Sequence, residues 1–104
     1  MPGTAAYLSP ETLTDHIIDV QAEIFSFGVT MYELLTFHKP FESNTIQDYH
    51  RAVVDPKVLP QSIRHYRKDV ARGLESIILK CLAKRRSERY PSMSLVVRDL
   101  EAML

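Results

Sequence analysis

Between Val20 and Thr36 the apolar positions run almost all the way round a helical wheel. At about 3.6 residues per turn, Val20, Ile24, Phe27, Met31, Leu34 and Leu35 fill one broad face, and Phe25, Val29 and Tyr32 fill a second. The polar residues gather in one narrow stripe of Glu23, Ser26, Thr30 and Glu33. A helix that is apolar on most sides is a buried one. At about 17 residues it lies at the short edge of a membrane span, and two glutamates with Ser26 and Thr30 would sit in lipid. The pattern therefore predicts the central helix of a soluble helical domain, with its polar stripe aimed at something specific.

The rest of the chain supplies shorter elements. Pro2-Gly3 is a turn signal, and the Ser9-Pro10 step disfavours helix before the proline, so the start reads as irregular. Pro10 can open one short helical turn through Leu13, and a loop then leads to Val20. Phe37-His38-Lys39-Pro40 ends the central helix. Ser43 or Asn44 can cap the next helix, with Gln47 completing a capping box, and Ile46, Tyr49 and Val53 recur at helical spacing. Pro56 and Pro60 bracket a loop that runs to about Asp69. Leu74, Ile77, Ile78, Cys81 and Leu82 form an amphipathic stripe, which the polar run Lys84 to Arg89 interrupts. Ser92 can cap a last helix carrying Met93, Val96, Val97, Leu100 and Met103. No stretch alternates strictly enough for a strand. The prediction is all-α, one domain over residues 1–104, with about four or five helices.

Composition narrows the functional classes. The 45% hydrophobic content is that of an ordinary globular chain. Thirteen basic and thirteen acidic residues cancel, so no net charge draws the chain to nucleic acid or an anionic membrane. Cys81 is the only cysteine, which rules out an internal disulfide and suits a reducing, cytoplasmic setting. No signal-peptide pattern is visible at Met1-Pro2-Gly3-Thr4. His16, His38, His50 and His65 have no ligand-like spacing with each other or with Cys81, so no metal site is expected. Cys81 itself lies on an apolar stripe and reads as a small buried hydrophobe. Lys84-Arg85-Arg86 reads as a solvated loop between helices rather than a nucleic-acid patch.

Three stretches carry a resemblance, in order and spacing. Gly3-Thr4-Ala5-Ala6-Tyr7-Leu8-Ser9-Pro10-Glu11 resembles the end of a protein-kinase activation segment, where G-T-x-x-Y leads into A-P-E, with serine here in place of alanine. Ala22-Glu23-Ile24-Phe25-Ser26-Phe27-Gly28-Val29 is similar to the start of that family's central helix, commonly S-D-I-Y-S-x-G-V. Cys81-Leu82-Ala83-Lys84-Arg85-Arg86-Ser87-Glu88-Arg89-Tyr90 resembles its C-L-x-K-D-P-x-x-R segment. Together they resemble the C-terminal part of the large helical lobe of a serine/threonine protein kinase, most like the bacterial eukaryotic-type members. The glycine-rich loop, the strand lysine, H-R-D and D-F-G do not occur in these residues.

The resemblance implies roles. Gly3, Thr4, Ala5, Tyr7 and Leu8 match the loop that receives the substrate residue beside the phosphorylated one. Glu33 matches a position that helps some members select basic substrate residues. Glu11 and Arg89 match a buried ion pair whose guanidinium fork grips a carboxylate. Glu23 stands where the family has the aspartate that anchors the catalytic loop to the central helix, and its extra methylene would misplace that carboxylate. The family activity is ATP-dependent phosphorylation of protein serine or threonine. Positioning ATP, metal and hydroxyl is what that reaction needs, so activity is expected to be absent in this chain alone. ATP and magnesium are expected only for a complete member, and no cofactor for these residues. The rival reading is a non-catalytic helical module that binds a peptide or partner protein. A further expectation concerns the central helix. With the preceding lobe segments absent from the chain, some of Ile24, Phe27, Met31 and Leu34 should be exposed or covered by another chain, favouring self-association.

Overall fold

The computed structural model describes residues 3–104, and of Gly3 and Thr4 the backbone alone. A 3₁₀ turn over Gly3–Tyr7 precedes α1 (Pro10–Asp15) and the long α2 (Val20–Thr36). Then follow α3 (Ile46–Val54), α4 (Ile63–Tyr66), α5 (Arg72–Cys81), a second 3₁₀ turn over Arg86–Glu88, and α6 (Met93–Glu101). No strand occurs among the described residues, so the all-α expectation holds.

The start and stop signals explain most of these bounds. Asp19 caps α2 by accepting from the Ala22 N–H at 3.0 Å. Phe37 closes it in the left-handed region at φ 61°, its N–H donating to the Glu33 carbonyl at 2.8 Å. Ser9 caps α1 ahead of Pro10. The cap of α3 is Thr45, bonded to the Asp48 N–H at 3.1 Å, and not Ser43 or Asn44. The capping box through Gln47 does not form, because the helix begins one residue later than it requires. Ser92 stands at the start of α6, but its hydroxyl meets that of Ser94 at 3.0 Å rather than a backbone N–H. The loop predicted from Pro56 to Asp69 contains the single turn α4, whose Ile63 is buried.

α2 lies at the centre and packs most closely on α5. Phe25, Val29 and Tyr32 of α2 meet Ile78 and Leu82, together with Phe41, Tyr49, Val53, Ile63 and Val70. Ile24 faces a second cluster with Ile77, Cys81, Tyr90 and Val96. The two helices approach closely because Gly28 has no side chain: a Cβ there would stand 2.8 Å from the Cys81 Cβ and 3.1 Å from a Leu82 methyl.

Burial of α2 is not complete. Of the four residues of which some were expected to be open, Ile24 is buried because α5 and α6 cover it, and Leu34 is exposed. Phe27 and Met31 are half-buried. Val20 and Leu34 are exposed at 52% and 63%, and the flanking Ile18 and Phe37 at 81% and 86%. Val20 and Leu34, with the half-buried Phe27 and Met31 between them, share one face of the helix by spacing. No helix among the described residues is long and apolar enough to cross a membrane.

Candidate functional site

The polar stripe of α2 is aimed at the turn in front of α1. Ser26 donates its hydroxyl to the Tyr7 carbonyl at 2.6 Å. The Tyr7 hydroxyl donates to Glu33 Oε1, two turns further along the same helix. Tyr49 of α3 donates to the Leu8 carbonyl at 2.9 Å. The short backbone from Tyr7 to Leu8 is thus tied to α2 by Ser26 and to α3 by Tyr49, and the Tyr7 side chain is tied to α2 by Glu33. Thr30 bonds back to the Ser26 carbonyl at 3.0 Å and takes no part. Glu23 is exposed, and its carboxylate accepts no hydrogen bond among the described residues. The Thr4 side chain lies outside the described residues.

Glu33 has a second partner that its sequence position did not suggest. Lys39 Nζ donates to Glu33 Oε2 at 2.7 Å and stands 5.4 Å from the Tyr7 ring centroid. The three groups shift one another consistently. The Lys39 bond, then the Tyr7 bond, holds the Glu33 carboxyl below its ordinary range. The Glu33 carboxylate raises the Lys39 ammonium and, with burial, the Tyr7 phenol.

At the other end of α2, Arg89 grips Glu11 through both carboxylate oxygens, at 2.6 and 3.0 Å. A guanidinium has five N–H donors, and here each has an acceptor. Besides the two on Glu11, they donate to the carbonyls of Ala83 at 2.9 Å, Gln21 at 2.9 Å and Lys84 at 3.4 Å. The guanidinium carbon lies 5.1 Å from the Phe25 ring centroid. Arg86 adds a second guanidinium at 3.0 Å from Glu11 and binds Asp19 through both oxygens, at 3.2 and 2.5 Å. Burial pushes the Glu11 carboxyl up, but the Arg89 bonds and the adjacent charges outweigh it, and the net shift is downward. The Gln21 amide completes the site, donating to the carbonyls of Arg86 and Tyr90 at 2.9 and 3.0 Å.

Several of these groups were invisible or misread along the chain. The Lys84-Arg85-Arg86 run is a loop between helices as expected, with Arg85 exposed, but Lys84 and Arg86 are paired within the fold. The Lys84 ammonium donates to the carbonyls of Ala52 at 2.9 Å, Asp55 and Val58, above the Phe41 ring. Those carbonyls belong to the end of α3 and the loop after it, where acceptors are left unpaired by the helix itself. Cys81 is buried as expected, and desolvation pushes its thiol up to about 11. The described residues contain no group of three or more histidine, cysteine or acidic side chains placed to hold a metal.

A family profile described as "Protein kinase domain" matches residues 1–99. The chain belongs to the protein kinase domain family. Serine/threonine-protein kinase PknB of Mycolicibacterium smegmatis is 37% identical over 100 residues, which are 94% of this chain and 15% of that protein. Serine/threonine-protein kinase PknD of Protochlamydia amoebophila is 34% identical over 103 residues, 98% of this chain and 10% of the relative. Serine/threonine-protein kinase A of a Synechocystis species is 32% identical over 103 residues, 97% of this chain and 19% of the relative. The chain thus spans a minor share of each relative's length. Two departures from the kinase motifs have local reasons. Ser9, in place of the alanine of A-P-E, caps α1 by accepting from the Thr12 N–H at 3.2 Å. Arg86, in place of the proline of D-P, supplies the second guanidinium on Glu11.

Proposed function

We propose that this chain is the substrate-facing part of a serine/threonine kinase helical lobe, with Gly3, Thr4, Ala5, Tyr7 and Leu8 forming a surface for a protein or peptide substrate. The observation that carries this reading is the attachment of the Tyr7–Leu8 backbone to α2 and α3 through Ser26 and Tyr49, with the Tyr7 side chain held by Glu33. A segment meant to receive a peptide must be held before the peptide arrives, because an ordering cost paid on binding lowers affinity. The residues present do not fit Mg-ATP. Glu11, Asp19 and Glu33 are each paired with a cation of the chain itself, and no glycine-rich phosphate cradle occurs in the sequence. Phosphoryl transfer therefore belongs to a complete family member, and the role of these residues is recognition. A cytoplasmic location, where protein substrates and ATP meet, accompanies the reading.

Photo-cross-linking with a benzophenone-labelled library of serine-centred peptides tests it. Adducts should map to Ala5 through Leu8, and adducts only elsewhere would overturn it. Titration calorimetry with Mg-ATP should show no binding; tight magnesium-dependent binding would also overturn it.

A second reading, an autonomous binding module, has one observation in its favour. Every buried side-chain nitrogen and oxygen among the described residues has a hydrogen-bond partner, as a self-sufficient interior requires. Against it stand the exposed Val20 and Leu34 of α2 and the flanking Ile18 and Phe37, apolar surface that favours self-association. A monodisperse monomer with a sharp, reversible thermal transition would decide for the module, and concentration-dependent light scattering for the lobe.

A further inference from the structure

The family resemblance would make Glu33 a receptor for basic substrate residues, but its geometry says otherwise. Both carboxylate oxygens are taken, one by the Tyr7 hydroxyl and one by Lys39 at 2.7 Å. The neighbouring cavity, of about 290 Å³, is lined by Glu33, Phe37, His38, Lys39, Glu42 and Asn44 among others. Its other carboxylate is also paired from within, with His38 Nδ1 at 2.8 Å from Glu42 Oε1. His38 is held in place by stacking on Tyr66, ring centroids 4.2 Å apart. The oxygens keep free lone pairs, but an incoming arginine or lysine would meet a Glu33 charge already balanced by Lys39 and a Glu42 already bonded to His38, beside an ammonium that repels it. Displacing Lys39 would return its charge to water and gain only an equivalent pair, so the exchange has little driving force. Phe37, exposed at the rim, and the Asn44 amide offer apolar and neutral polar contact instead.

We propose that Lys39 is a specificity-determining residue: by occupying Glu33 it makes this surface accept an uncharged peptide side chain and reject a basic one. The inference rests on the reading of Gly3 to Leu8 as the peptide-facing surface, but it can be tested apart from it. The probe is arginine amide, titrated into the chain while the Glu33 carboxyl carbon and the Tyr7 ring are followed by nuclear magnetic resonance. The wild-type chain should show no saturable shift at either group. Lys39→Met should bind arginine amide up to about fivefold more tightly than wild type, the scale of a partly exposed ion pair, with both resonances moving. Lys39→Gln, which removes the charge but stays polar, should do the same and guards against a variant that misfolds. The double variant Glu33→Gln/Lys39→Met should lose the gain. Equal binding by wild type and Lys39→Met, or none by either single variant, would overturn the proposal. Failure of the peptide cross-linking would leave this titration standing, so the two ideas fail separately.

Discussion

Two carboxylates pair with cations near opposite ends of α2, at almost the same distance and to different effect. Glu11 meets Arg89 at 2.6 Å, with side chains 7% and 0% exposed. Glu33 meets Lys39 at 2.7 Å, with side chains 32% and 34% exposed. Distance does not rank these pairs; surroundings do. In the first, every guanidinium donor has a protein acceptor; removal of Glu11 strands the Arg89 charge where water cannot reach it, and removal of Arg89 leaves a buried Glu11 with Arg86 alone. In the second, water can replace either partner at small cost, so the pair is free to serve recognition rather than stability.

The sharpest way to break this comparison is to delete the cation at each end. Arg89→Ala should cost on the order of 3–5 kcal/mol in denaturant melts, because it leaves Glu11 buried with one guanidinium fewer. Glu11→Ala should cost a similar amount, and the double variant less than the sum of the two. Additive losses below about 0.5 kcal/mol each would put this end in the same class as the surface pair. Between the ends, Gly28→Ala sets the packing of α2 on α5 against helix propensity. Alanine favours the helix by about 1 kcal/mol, but a Cβ 2.8 Å from that of Cys81 forces overpacking worth about 1–3 kcal/mol. A net loss of stability is expected, and a gain would mean that the two helices separate easily.

Acid should distinguish the ends next. The Glu11 carboxyl is held below its ordinary 4.5, so its contribution is complete above about that pH. It is lost as the pH falls through the lowered native value, because the unfolded chain takes up the proton first. Glu33 is lowered from the same starting point, but on the surface the same sign carries less energy. Melts from pH 7 to 2 should show an acid-sensitive component that Glu11→Gln removes and Glu33→Gln leaves in place. The smallest effect belongs to Lys39→Met, which should change stability by less than about 1 kcal/mol while altering the response to arginine amide.

How much of this was legible along the chain follows the range of the interactions. α2 was readable to its ends, since a 17-residue helix repeats its apolar pattern several times. α4 was not, because four residues make one turn and show no period. The Ser26 and Glu33 stripe announced that something would dock there, but only the fold shows that it is Tyr7. Glu11 with Arg89 came through the family motifs and not through spacing, since 78 positions separate them. Asp19, Gln21 and Arg86 belong to the same site and carried no signal of their own: a charge in a loop looks alike whether it faces solvent or a partner far along the chain. Lys39 was hidden for a similar reason, read as part of a helix-ending stretch when its side chain folds back over Tyr7.

The close approach of α2 and α5 also has a kinetic consequence. It seals the only thiol in the chain, Cys81, behind Gly28 with no exposed surface, and burial keeps that thiol protonated up to about pH 11. A thiol reagent attacks the thiolate and must reach it, so it reacts only when these helices part. The labelling rate of Cys81 in a native sample, compared with that of the unfolded chain, then counts how often the two central helices open. One wild-type cysteine thereby reports the parting of α2 and α5 without any engineered probe.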